Sequence, residues 1–264
     1  MADPNLRVTL IQTELAWHDP AANRARFDKL IRPLAGKTDL VVLPEMFTTG
    51  FTMAAVEVAE PANGPSVAWM REMAASIDAT LTGSIVTRDG GQYFNRLIWM
   101  RPDGSFESYD KRHLFRMARE HEHYAAGSKR LIVQLGAWKI CPQVCYDLRF
   151  PVWSRNRPGT PEGYDVLIYV ANWPDRRRHA WQTLLRARAI ENLSYCVGVN
   201  RVGKDEKALS YTGDSAVIDF LGQSMTEASE KEFVATVSLD RAALDTYREK
   251  FPAHLDADGF SIMP

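Results

Sequence analysis

Only three cysteines occur in 264 residues, an odd number without the regular spacing of a disulfide framework. That scarcity excludes a disulfide-stapled secreted scaffold and fits a reducing compartment. No apolar run approaches the roughly 20 residues that a bilayer core demands. The opening Met-Ala-Asp-Pro-Asn-Leu-Arg lacks the basic-then-apolar pattern of a secretory signal. Charge of one sign is missing too: the formal net charge is −1, which gives no reason to expect nucleic acid or an acidic membrane as partner. Repeats, low-complexity tracts and long linkers are likewise absent. What is present, 45% hydrophobic and 25% charged residues, is ordinary for a globular chain with a sizeable core. These features predict a cytoplasmic chain folded as one unit over residues 1–264.

Strand and helix signals alternate along that unit. Apolar runs predict strands over 7–13, 38–45, 80–87, 92–100, 105–109, 129–135, 138–144, 165–170, 195–201, 212–220, 224–227 and 232–237. Asp89-Gly90 and Asp103-Gly104 supply hairpin turns. Helical spacing predicts helices over 23–34, 66–77, 176–193 and 241–250, with Pro65 and Ser66 at first-turn and cap positions. Pattern alone gives an α/β class with an antiparallel part.

Three strand-like runs end in reactive side chains. Ile140-Cys-Pro-Gln-Val-Cys145 breaks into a polar turn, Tyr-Asp-Leu-Arg-Phe-Pro151, which presents Cys145 at a sheet rim. Thr38 to Pro44 delivers Glu45, and Ser105 to Tyr109 leads to Lys111. In open α/β sheets ligands collect beyond the carboxyl ends of strands. A thiol attacks as thiolate, so it needs a base or a cation close by. A carboxylate can take its proton, and a lysine can hold the carboxylate and polarise a carbonyl oxygen.

Leu43-Pro-Glu45, Tyr109-Asp-Lys-Arg-His-Leu-Phe115 and Val144-Cys-Tyr-Asp-Leu-Arg-Phe-Pro151, in that order and at wide spacing, resemble the three signatures of the nitrilase (carbon–nitrogen hydrolase) superfamily. The resemblance runs from about Arg7 to Lys250. The longer string CYDLRFPVWSRN, with YVANWP and RARAIEN behind it, resembles the omega-amidase branch. The resemblance implies a four-layer αββα sandwich, two stacked mixed sheets with helices on the outer faces, commonly paired as a homodimer. It implies Cys145 as nucleophile, Glu45 as general base, and Lys111 with the backbone N–H of Tyr146 as holders of the oxyanion. Glu120 matches a fourth acidic position by its distance to Gly127, orienting Lys111 or the substrate amide; Glu122 is its near neighbour. Arg149 is implied to grip the substrate's acid group and Trp173 to form an apolar wall.

Each residue also has a plainer reading. Cys145 can be a small core hydrophobe, like Cys141 and Cys196 in their apolar runs. Glu45 can cap a loop, Lys111 can be a solvated charge, Arg149 can pair with Asp147 or Glu191, and Trp173 can be core. His121-x-His123 lacks a third ligand and Cys141-x3-Cys145 lacks a second pair, so no metal and no cofactor is expected. Arg176-Arg-Arg178 opposes the dipole at a helix start and marks either a solvated run or a second acid-binding feature near a pocket mouth. Arg188 and Asn192, one turn apart, read as structural or interface residues. The resulting expectation is hydrolysis of the terminal amide of short dicarboxylate or 2-oxo-dicarboxylate monoamides, such as 2-oxoglutaramate and 2-oxosuccinamate. The alternatives are another carbon–nitrogen hydrolase (N-carbamoyl hydrolase, aliphatic amidase or nitrilase), a silent scaffold, or a cysteine protease using His113 or His179.

Overall fold

Alternating side-chain direction along the first strand decides how the layers stack. Leu6, Val8 and Leu10 join one buried cluster and Ile11 another, as a period of two requires when both faces of a sheet are covered. The computed structural model describes residues 4–226 and 229–262. The first half runs β1 (Leu6–Gln12), α1 (Pro20–Ile31), β2 (Leu40–Val42), α2 (Ala55–Val58), β3 (Glu60–Pro61), α3 (Pro65–Ile77), β4 (Thr80–Asp89), β5 (Gln92–Met100) and β6 (Phe106–Asp110). The second runs β7 (Val133–Leu135), β8 (Trp138–Val144), α4 (Pro151–Ser154), β9 (Val166–Ala171), α5 (Arg178–Asn192) and β10 (Tyr195–Asn200). It closes with β11 (Val202–Lys204), β12 (Ser210–Thr212), β13 (Ala216–Ile218), β14 (Phe233–Leu239) and α6 (Arg241–Lys250).

Two mixed sheets result. One has the order β14-β1-β2-β4-β5-β6, with β3 also on β4; the other is β13-β10-β9-β8-β7. Strands β1, β2 and β4 are parallel, as are β8, β9 and β10, so their carboxyl ends gather at common edges. Between the sheets lies a continuous core joining Val8, Leu40 and Trp99 to Val144, Ile168 and Val197. Outside the first sheet, Phe27 and Ile31 of α1 and Met70, Ala74 and Ile77 of α3 pack on Val41, Leu81 and Ile98. Each of these buried side chains larger than alanine contributes about 1.5–3 kcal/mol. Outside the second sheet, Trp181 and Leu185 of α5 sit on β10 at Gly198, where a Cβ would come within 2.5 Å of Leu185. This is the expected arrangement of stacked mixed sheets with helices on the outer faces.

Several predicted boundaries move. The strand over 38–45 shrinks to β2 because Pro44 has no N–H for a ladder, and the chain turns at Met46 (φ 42°). The strand over 129–135 shrinks to β7. The start of the helix over 176–193 is a 3-10 turn, Asp175–Arg177, before α5. Gly64, not Ser66, caps α3; Ser66 lies inside and donates to Glu60. The run over 212–220 splits into the ends of β12 and β13. At 224–227 the structure has one bridge, Ser224 to Ile218, and Glu227 lies outside the described residues. The hairpin β11–β12 falls in a stretch that reads as loop in the sequence.

Candidate active site

Beyond the strand ends, Glu45, Lys111, Glu120 and Cys145 come together. Glu45 follows β2 on a segment fastened to β4: Leu43 N–H donates to the Thr82 carbonyl at 2.7 Å and Met46 N–H to Ser84 Oγ at 2.8 Å. Lys111 continues the line of β6, its N–H bonded to the Asn95 carbonyl at 3.0 Å. Gly127 packs against the backbone of Asp110, where a Cβ would lie only 2.0 Å from the carbonyl oxygen. Only glycine lets the Lys111 segment and the chain after Glu120 approach that closely.

Lys111 is 1% exposed, and Glu45 and Glu120 are fully buried. Its Nζ lies 2.9 Å from Glu45 Oε1 and 2.9 Å from Glu120 Oε2, and 5.2 Å from the Phe51 ring centre. Asn95 Nδ2 donates to Glu45 Oε1 at 2.8 Å, the Asn172 N–H donates to Glu45 Oε2 at 2.8 Å, and the Phe115 N–H donates to Glu120 Oε2 at 2.6 Å. Buried ions persist when paired and hydrogen-bonded in this way. The two carboxylates hold Lys111 protonated, raised well above its ordinary range against the cost of burial. Burial and the charge of Glu45 raise Glu120, with Lys111 opposing. Glu122, by contrast, is exposed and pairs with Arg119.

Cys145 opens a 3-10 turn, Cys145–Arg149, with φ of 45°. A non-glycine residue there carries strain of about 1–3 kcal/mol, which the surroundings must hold in place. Buried Asp147 does so. It accepts from Val144 N–H (3.1 Å), Tyr109 OH (2.7 Å), His113 N–H (2.9 Å) and the His113 ring (2.8 Å). From the far side, Arg188 of α5 donates to the Leu148 carbonyl at 2.7 Å. Burial, then the charge of Glu45, push the Cys145 thiol well up, and Lys111 pulls it down. The resting group is therefore the thiol, facing a carboxylate able to take its proton. The His113 ring bonds Asp147 and stacks on Phe150; His179 lies on exposed α5 surface near Thr183. Among the described residues neither is hydrogen-bonded to Cys145, so the cysteine-protease alternative loses its partner.

Above this group opens a cavity of about 600 Å³, within the usual range of small-molecule sites. Cys145, Tyr146, Arg149, Trp173 and Arg177 line it, as do the Thr52–Ala54 and Asp205–Lys207 segments. Arg149 pairs with neither Asp147 nor Glu191: Glu191 takes Arg188, and Arg149 lies over the Trp173 ring at 4.9 Å. Trp173 is both wall and anchor, 4% exposed, with its Nε1–H bonded to the Arg177 carbonyl at 2.8 Å. Asn95, Asn172 and Asp147 had no distinguishing sequence signal as site residues, since each binds neighbours distant along the chain. Among the described residues no group of three or more His, Cys, Asp or Glu is placed to hold a metal. Within the same limits, no helix is long and apolar enough to cross a membrane.

Comparison with known proteins adds an independent finding. A family model described as carbon-nitrogen hydrolase matches residues 7–249. The chain is 46% identical to the omega-amidase YafV of Yersinia enterocolitica, over 98% of this chain and 99% of that one. It is 29% identical to the 2-oxoglutaramate amidase of Bacillus subtilis, over 94% and 96% of the two chains. A CN-hydrolase superfamily protein from Xanthomonas campestris, solved with an arsenic adduct in its active site, superposes with a TM-score of 0.96 at 52% identity, covering 99% of this chain and 100% of that one.

Proposed function

The chain belongs to the carbon–nitrogen hydrolase family, and from that premise we propose that it is an omega-amidase with Cys145 as nucleophile, Glu45 as base and Lys111 as oxyanion holder. It is a cysteine-dependent amidase whose substrates are the terminal monoamides of short 2-oxo-dicarboxylic acids, a reading supported by a Yersinia relative named as an omega-amidase and a Bacillus relative named as a 2-oxoglutaramate amidase. The observation that carries the assignment of roles is the buried Lys111 held between Glu45 and Glu120, beside a strained cysteine at the floor of the cavity.

The chemistry follows from the proton positions. As Cys145 Sγ attacks the amide carbon, its proton passes to Glu45, because the raised thiol is neutral at rest. The carbonyl oxygen becomes an oxyanion held by Lys111 Nζ and the Tyr146 N–H, a low-dielectric interaction of the kind worth about 3–4 kcal/mol per donor. Collapse breaks the C–N bond. The amine takes the proton from Glu45 and leaves as ammonia, and a thioester remains on Sγ. Water then attacks the thioester, giving a proton to Glu45; the acid departs and the thiol regains that proton. Glu120 accepts two hydrogen bonds from Lys111 and keeps its ammonium aimed. Arg149, cushioned on Trp173, binds the acid end of the substrate.

Ammonia release across ω-amides, simple amides, ureido acids and nitriles tests the reading. Preference for 2-oxoglutaramate, abolished in Cys145→Ala and reduced at least about 10²-fold in Glu45→Gln, is expected. Preference for a nitrile or ureido acid over every ω-amide would overturn the substrate class. The chain is also read as a cytoplasmic homodimer. Its three cysteines are free, and Ile190 and Leu221, half exposed and close together about Gly222, form apolar surface that a partner copy would cover. Light scattering at twice the mass of one chain checks the dimer.

A further inference from the structure

The start of α5 carries three consecutive arginines, and only one of them is neutralised. Arg178 bonds Asp214 at 2.6 Å and pairs with Glu230. Arg176 and Arg177 line the cavity and, among the described residues, form no ion pair. Arg177 is half-buried, its guanidinium 5.1 Å from the Phe115 ring centre, with one N–H directed at the Met117 sulfur at 3.7 Å. Neither contact supplies negative charge. Arg149 on the neighbouring turn is in the same condition, lying over Trp173.

This arrangement is costly unless an anion completes it. Cations at a helix N-terminus oppose the helix dipole. The charges of Arg176 and Arg149, added to burial, also weaken Arg177's hold on its proton, so the guanidiniums are close enough to repel. Cys145 and Arg177 line the same cavity, so the guanidinium and the reacting sulfur face one bound molecule. Trp173 links the pair mechanically: its ring supports Arg149 while its Nε1–H fixes the Arg177 carbonyl. Glu57, Asp205 and Glu206 also line the cavity, but among the described residues none is ion-paired with Arg149 or Arg177, so the two guanidiniums on aromatic supports form a preorganised anion receptor.

We propose that Arg177 acts with Arg149 as a two-guanidinium clamp on the 2-oxo acid end of the substrate, and that Arg177 sets the preference for anionic over uncharged amides. The role assigned to that end rests on the function proposed above. The clamp itself is testable without turnover. Iodoacetate and iodoacetamide both alkylate Cys145, displacing iodide, and differ in that only the first is an anion.

The wild-type chain is expected to be alkylated faster by iodoacetate, relative to iodoacetamide, than its Arg177→Gln variant, by about 10-fold. Arg177→Lys should keep part of the preference, since it retains charge but loses the fork. In turnover, Arg177→Gln should raise KM for 2-oxoglutaramate about 10- to 100-fold, the span of a charged hydrogen bond, with kcat within about threefold. Iodoacetamide labelling at the wild-type rate shows that the variant is folded with its thiol intact. An unchanged iodoacetate-to-iodoacetamide ratio in Arg177→Gln overturns the clamp, as does an equal loss with both reagents. A wild-type chain that shows the ratio but releases no ammonia from any ω-amide overturns the proposed substrate and leaves the clamp standing.

Discussion

Lys111 has two carboxylate neighbours and about one hundredth of its surface in water, so single charges decide the behaviour of this site. Replacing Lys111 by methionine strands two buried carboxylates; the expected loss of about 3–5 kcal/mol in urea unfolding is that of a broken buried ion group. Glu120→Gln has a sharper signature. Glu120 accepts two hydrogen bonds from the Lys111 ammonium, and an amide in its place keeps one acceptor oxygen and no charge. In Glu120→Gln kcat should therefore fall about 10²-fold as Lys111 loses its second anchor. Glu122→Gln should leave kcat within about twofold, being exposed on Arg119. A kcat within about twofold of wild type in Glu120→Gln would remove its part in aiming Lys111. At this scale the sequence was informative where a reactive residue ended an apolar run, as at Glu45, Lys111 and Cys145. Glu120 was favoured over Glu122 by the resemblance alone, through its distance to Gly127; burial, which separates the two physically, comes from the chain folding back at Gly127. Arg177, in a run that reads either as solvated or as a second acid-binding feature, is separated from Arg178 only when its neighbours are seen.

The element on which the site depends is the turn Cys145–Arg149. Its strain is held by four donors converging on Asp147 and by Arg188 reaching Leu148 from α5. Asp147→Asn replaces one acceptor oxygen with a donor, so at least one of those donors loses its partner at about 1–3 kcal/mol. Expected outcomes are a kcat reduced about 10- to 100-fold, KM within about threefold, and iodoacetamide labelling of Cys145 slowed in parallel. Labelling at the wild-type rate would show that the turn holds without Asp147. Strands bounded by a hairpin turn signal, such as β4 and β5 about Gly90, and helices with an apolar stripe, such as α3, were legible from pattern. Those that depend on distant partners were not. Pro44 shortens β2, the bridge at Ser224 replaces a predicted strand, and β11 with β12 forms a hairpin in a stretch that reads as loop.

Across the whole molecule, both faces of each sheet are covered, and many neutral titratable groups are shut away between them. Burial pushes Cys141 up to about 11 and raises Cys145, Cys196, Tyr109, Tyr164 and Tyr169 as well. The sign follows directly. The unfolded chain loses these protons from about pH 8.5 for thiols and 10 for tyrosines, while the folded chain retains them. Unfolding then releases protons, so stability falls as pH rises, by about 1.4 kcal/mol per unit for each fully titrating group. Urea unfolding between pH 7.5 and 10.5 should show a decline that steepens above about pH 9, and Cys141→Ala should make it shallower. A flat profile to pH 10 would mean that these groups titrate alike in both states. Layer order was the least legible feature at this scale: pattern gave an α/β class, and the stacked sheets came from the resemblance, because pairing such as β14 on β1 joins residues more than 220 apart.

The central claim is that Cys145 carries the acyl group between two half-reactions. Acid-quenched turnover of 2-oxoglutaramate, followed by peptide mass spectrometry, tests it most directly. The account predicts a thioester adduct confined to the peptide containing Cys145, cleared by hydroxylamine and absent from Cys145→Ala. An adduct on another residue, or ammonia release persisting at the wild-type rate in Cys145→Ala, would contradict it.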